Sequence, residues 1–158
     1  MKKYVIEVKW AIVFTVVALL WMVFEKSMGW HDELIADHVF YSNFFSIAAI
    51  AVYVLALLDK RKNHYHGVMT WRQGFVAGLV ISLLVALLTP LSQWITHEFI
   101  TPDYFPNVIE YAVNSGQSTQ AEAEAYFNMK NYVIQSSVFA LFVGVFTAAI
   151  VALFLKRK

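Results

Sequence analysis

An all-α, four-transmembrane-helix bundle is the fold class this sequence predicts, and three observations carry the prediction. Apolar residues make up 59% of the 158, and the mean hydropathy is +0.58, more than one soluble core of this size can hide. Residues 4–24, 40–58, 75–95 and 133–155 form four apolar stretches. Each is long enough as a helix to cross a hydrocarbon core ~30 Å thick at ~1.5 Å per residue. Charge is confined to the gaps, and its sign alternates from gap to gap. The whole chain, 1–158, therefore reads as one integral membrane domain.

The first span opens behind Lys2 and Lys3. Glu7 and Lys9 interrupt what would be the apolar region of a secretory signal, and Glu25–Gly29 offers no small-x-small cleavage site, so the span is read as uncleaved. Glu7 and Lys9 are expected at the membrane interface, where long side chains snorkel, with Lys3 and Glu7 spaced as an i,i+4 pair. The connection that follows is acidic, with Glu25, Asp32, Glu33 and Asp37. Its Asp32–His38 stretch is read as a short amphipathic helix on the membrane surface, because Leu34 and Ile35 fall on the His31/His38 face.

The second span ends in the basic stretch Asp59–Gly67. Thr70-Trp71-Arg72-Gln73 is a capping box that starts span three, and Thr89-Pro90 should kink its second half. Residues 102–132 are too long for a plain loop. Pro102 and Pro106 punctuate the entry, Asn107–Asn114 reads as a short helix, and Gly116 supplies its left-handed stop. Thr119-Gln120-Ala121-Glu122 is a second capping box, opening a helix expected to run straight into span four. The segment is thus predicted to be a helical hairpin over one mouth of the bundle.

Lysine and arginine gather before span one, between spans two and three, and after span four. By the positive-inside rule both termini face the cytoplasm. Trp10 and Trp71 then mark the inner interface, and Trp21, Trp30 and Trp94 the outer one. Lys60, Arg61, Lys62, Lys156, Arg157 and Lys158 are the expected contacts to anionic lipid headgroups. That basic surface is too narrow for nucleic acid.

Small residues recur every fourth position in two spans: Gly74, Gly78, Ser82 and Ala86 before Pro90, then Ser136, Ala140, Gly144, Ala148 and Ala152. Such stripes let helix backbones approach closely in lipid. The first reading is that spans three and four pack on each other within one chain; the second makes a stripe the seam of a homodimer.

The chain has no cysteine, which excludes disulfides, thiolate metal sites and cysteine nucleophiles. No span carries an ionisable residue at its centre, which argues against proton-coupled transport. Nucleophile elbows, phosphate loops and dinucleotide fingerprints are absent. The outer halves of the spans are the polar ones. Glu25, Asn43, Ser46, Gln93 and Gln135 fall at similar depth and are the residues expected to line an outward-facing pocket. His31, Asp37-His38 and His97-Glu98 look like metal ligands, yet on a helix His31 and His38 would stand ~10 Å apart, too far to share a zinc with bonds of ~2.0–2.1 Å. His31, His97 and Glu98 stay as weak candidates, and no cofactor is indicated.

Several landmarks together resemble a known family. They are Met1-Lys2-Lys3-Tyr4 through Glu25-Lys26, His31-Asp32-Glu33, Tyr53–Lys62, Met69–Phe75, Thr101–Phe105 and Glu122–Phe127. In these the chain is similar to the small membrane proteins grouped as domain of unknown function 4199 (DUF4199). The resemblance spans essentially the whole chain and implies a four-span bacterial inner-membrane protein, while implying no activity.

The function expected from all of this is non-enzymatic binding of a partner protein or lipid. Tyr104, Phe105, Tyr111, Tyr126 and Phe127 would supply apolar contacts from the hairpin, down onto the bundle or out to a partner. An oligomeric small-solute transporter or channel is the alternative. A membrane-embedded enzyme using Glu25 comes third.

Overall fold

Four helices, two of them extended by short helical turns, run alternately up and down. They are long and apolar enough to cross a membrane. The computed structural model of the chain describes residues 4–157. Lys2, Lys3 and Lys158, and with them the expected Lys3–Glu7 pair, lie outside the described residues. In chain order the helices are α1 (Val5–Ser27), α2 (His38–Ser42), α3 (Phe45–Asn63), α4 (Trp71–Ile95), α5 (Tyr104–Asn114), α6 (Gln120–Tyr126) and α7 (Met129–Leu155). A 3-10 turn, Ile35–Asp37, leads into α2, and a π-helical turn, Thr96–Ile100, extends α4. The end that holds both termini is called the terminal face below, the other the hairpin face.

Local chemistry explains most of the boundaries. Thr70 accepts from the Gln73 backbone, and the Gln73 side chain accepts from Thr70 N at 2.8 Å, so the reciprocal cap starts α4. Pro90 sits inside α4. α5 begins three residues earlier than the sequence suggested, with Pro106 in the first turn, where its missing N–H costs nothing. Gly116, at φ +73°, ends the hairpin's first arm. Thr119 and Glu122 cap α6 reciprocally. The expected continuous run from α6 into α7 does not occur: Phe127 ends one helix, and the extended Asn128 caps the next by accepting from Asn131 N at 3.0 Å.

The two small-residue stripes face each other. A methyl added at Gly74 would lie 3.0 Å from Ala152 Cβ, and one added at Gly78 would fall on Ala148 Cβ. Gly144 lies against Ser82 and the Tyr53 hydroxyl, and that hydroxyl pairs with Ser82 Oγ at 2.7 Å. The α4–α7 seam is the most extensive helix contact, and α3 and α1 pack across it. Tyr53, Leu57, Ala77, Ile81, Ala148, Val151 and Ala152 form the buried core on the terminal side. Leu20, Ile47, Leu87, Phe139, Phe142, Phe146 and Phe154 point outward, which suits a lipid surround.

The terminal face departs from expectation in one respect. Glu7 and Lys60, placed at the interface and at lipid headgroups by the sequence, are both buried and joined at 2.8 Å (Glu7 Oε1 to Lys60 Nζ). The cause is geometric: one lies at the start of α1, the other near the end of α3, and the two helices pack together there. Beside them Lys9 pairs with Asp59, which also accepts from Trp10 Nε1 at 2.7 Å. Arg61 donates to the Leu155 carbonyl at 3.0 Å, while Lys62, Lys156 and Arg157 are exposed.

Candidate functional site at the hairpin face

The site grows out of the end of α1. Gly29, at φ +77°, lets the chain turn back after Ser27. Trp30 N and Leu34 N then bond to the carbonyls of Glu25 and Gly29, at 3.2 and 2.8 Å. This tight fold, rather than a continuous helix, carries His31 over Glu25. The 3-10 turn then brings His38 back to the same place.

The Glu25 side chain is fully buried. Its Oε1 accepts from Trp21 Nε1 at 2.6 Å. Its Oε2 lies 3.0 Å from His31 Nε2 and 3.5 Å from His38 Nε2. The imidazole rings stand 5.1 Å apart, centroid to centroid, half the separation that a helical Asp32–His38 would impose. The sequence argument against a shared site therefore fails at its premise: the residues between the histidines are turn and 3-10, not α-helix.

The hairpin roofs this cluster. The Tyr104 ring packs edge-on against both histidines, and its hydroxyl lies 3.5 Å from His38 Nδ1 and 3.0 Å from the Tyr132 hydroxyl. Burial first, and then the Tyr132 hydroxyl beside it, push the Tyr104 phenol well above its ordinary range, so it acts as a neutral hydroxyl. Asn107 donates to the His31 carbonyl at 3.0 Å, tying α5 to the turn. His97, on the π-helical turn, stacks on Phe105 at 4.3 Å and faces Tyr104 and Tyr132.

A cavity of about 320 Å³ lies beneath, lined by Glu25, His31, His38, Gln93, Thr96, His97 and Tyr104 among others. A second, of about 210 Å³, lies deeper between the spans, with Phe14, Ala18, Val85, Thr89 and Ala140 in its wall. Met22, Phe45, Gln93, Thr96 and Ser136 line both. Gln93 donates to Ser136 Oγ at 3.0 Å where they adjoin.

Of the residues expected in an outer pocket, the structure brings Glu25 and Gln93 together and leaves three outside. Asn43 and Ser46 are exposed, and Asn43 donates back to the Val39 carbonyl at 2.7 Å. Gln135 is exposed and accepts from the Tyr126 hydroxyl at 3.2 Å. Depth along a span is readable from sequence; rotation about its axis is not, and these three point away. Of the weak metal candidates, His31 and His97 reach the cavity, whereas Glu98 is exposed. His38, Tyr104, Tyr132 and Trp21 complete the site. For Trp21, the signal was its position one turn before Glu25. Trp30, expected in the interfacial belt, is buried and stacks on Tyr41 at 4.4 Å. Tyr104 and Phe105 pack down onto the bundle, while Tyr126 stays exposed.

Fold and site together define a four-span helical membrane protein with a cavity, lined by Glu25, His31 and His38, beneath a helical hairpin. Within that class, the model of a family described as "Protein of unknown function (DUF4199)" matches residues 9–157, and the chain belongs to that family. No curated protein and no solved structure matches it.

Proposed function

We propose that this is a non-enzymatic bacterial inner-membrane protein that binds a lipid or lipid-like amphiphile between α1, α4 and α7. The observation that carries the reading is the pair of adjoining cavities. The one at the hairpin face holds the ionisable Glu25, His31, His38 and His97 within a largely apolar lining. The deeper one is walled by Phe14, Ala18, Val85 and Ala140 together with Thr15, Thr89 and Ser92, with no ionisable side chain. The ionisable groups of the first suit a headgroup and the charge-free wall of the second suits a chain, the division of chemistry an amphiphile needs. The exposed Lys62, Arg72, Lys156 and Arg157 at the terminal face support cytoplasmic termini by the positive-inside rule. The cavity mouth then lies on the extracytoplasmic side. Transport is less well supported: on the terminal side Gly74, Gly78, Ala148 and Ala152 press the helices together, and Glu7 and Lys60 are buried against each other.

Native mass spectrometry of the chain released from nanodiscs tests this reading. The wild type should retain an amphiphile, and Ala18→Phe and Ala140→Phe, which fill the deeper cavity, should lose it while staying folded. A wild type that flies bare, or filled variants that retain the same molecule, would overturn it.

A further inference from the structure

Glu25, His31 and His38 present one carboxylate oxygen and two imidazole nitrogens that all lie within 4.8 Å of one another. We infer that these three side chains form a binding site for a zinc-class divalent metal ion at the hairpin face. The inference stands on geometry and donor chemistry and does not depend on lipid binding.

The spacing is one that the ligands of a single metal ion adopt. Around a tetrahedral zinc with bonds of ~2.0–2.1 Å, neighbouring donor atoms sit about 3.3 Å apart. Glu25 Oε2 lies 3.0 Å from His31 Nε2 and 3.5 Å from His38 Nε2, bracketing that value. Both imidazoles turn Nε2 toward the same carboxylate oxygen, and the three donor atoms lie within 4.8 Å of one another. Two histidines and one carboxylate are a donor set that zinc accepts, with a position left over for water or another group. The cavity these residues line supplies the space for it.

A second observation is the shell of groups that hold the donors in place. Metal-bound imidazoles and carboxylates are oriented by partners on their far atoms. Here Trp21 Nε1 donates to the other carboxylate oxygen of Glu25 at 2.6 Å, and the Tyr104 hydroxyl faces Nδ1 of His38. Asn107 fixes the backbone of His31. Two chain segments far apart in sequence, residues 21–38 and 104–107, are thereby locked around one small volume.

Tag-free full-length protein, washed with chelator in mild detergent and titrated with Zn²⁺ and with Co²⁺, tests the site. Bound Zn²⁺ should saturate at about one equivalent per chain, and bound Co²⁺ should show the intense visible bands of a tetrahedral, nitrogen- and oxygen-ligated ion. His31→Gln and His38→Gln should each weaken Zn²⁺ binding by about 100-fold or more, and His64→Gln, at the terminal face, should leave it unchanged. Circular dichroism and gel filtration establish that each variant is folded. No stoichiometric uptake by the wild type, or uptake undiminished in both folded variants, would overturn the inference. Should the variants not fold, wild-type Co²⁺ spectra lacking tetrahedral bands would do the same.

Discussion

Lys60 Nζ sits 2.8 Å from Glu7 Oε1, with each side chain less than 5% exposed. The pair bridges the start of α1 and the last turns of α3, and Glu7 Oε2 has no hydrogen-bond partner. Removing Lys60 leaves the buried Glu7 carboxylate without its cation, which costs about 3–5 kcal/mol, whereas an apolar replacement of both is close to neutral. Lys60→Met should therefore destabilise the protein by about 3 kcal/mol, and Glu7→Met/Lys60→Met should recover most of the loss. Unfolding in mixed micelles measures both. Equal destabilisation by the single and double variants would refute the coupling.

Gly78 and Ala148 set the approach of α4 to α7. Gly78→Ala should destabilise by about 1–3 kcal/mol, because a methyl there overlaps Ala148 and overpacks the seam. Ala148→Gly in the same chain should restore part of it, since residues in contact are energetically coupled. A double-mutant cycle with no coupling energy would show that the seam relaxes freely.

At the centre of the bundle, the Tyr53 hydroxyl meets Ser82 Oγ, which itself donates to the Gly78 carbonyl at 2.9 Å. Tyr53→Phe removes one buried hydrogen bond and should cost about 1 kcal/mol. Ser82→Val should cost more, since it strands the tyrosine hydroxyl against Gly144. Thermal melting of the two variants side by side gives the order.

The cap of α6 predicts a pH dependence. The Glu122 carboxylate accepts from the Thr119 backbone and hydroxyl, and those bonds hold its pKa below the ordinary carboxylate value. A lowered folded-state pKa means that the stabilisation is present above the unfolded value and is lost as pH falls through the folded one. Amide protection factors in α6 should therefore fall as the pH drops below the usual carboxylate range, and be flat in Glu122→Gln. NMR-detected exchange, corrected for intrinsic rates, provides the check.

The spans were legible because hydropathy depends only on which residues are adjacent in the chain. The caps at Thr70 and Thr119 were legible because their chemistry closes within three residues. What escaped involved rotation or distant pairing. Ser46 and Gln135 lie on other faces of their helices, and Asn43 lies in the turn between α2 and α3. The partner of Glu7 is fifty-three positions away, beyond the reach of any local spacing rule. His31 and His38 were separated by assuming a helix where Gly29, just past the end of α1, was already a sign of a reversal. Asn128 was a cap signal too, masked by the strength of the box that opens α6.

The antiparallel bond pair between Met69 and Arg157, at 3.0 and 2.8 Å, has a mechanical meaning. It pins the tail of α7 to the start of α4, and the Gln93–Ser136 bond pins the same two helices near the hairpin face. A slide of one helix past the other by a single residue, about 1.5 Å, would break both clasps at once. The two clasps thus resist sliding of α4 against α7 at both ends of their seam.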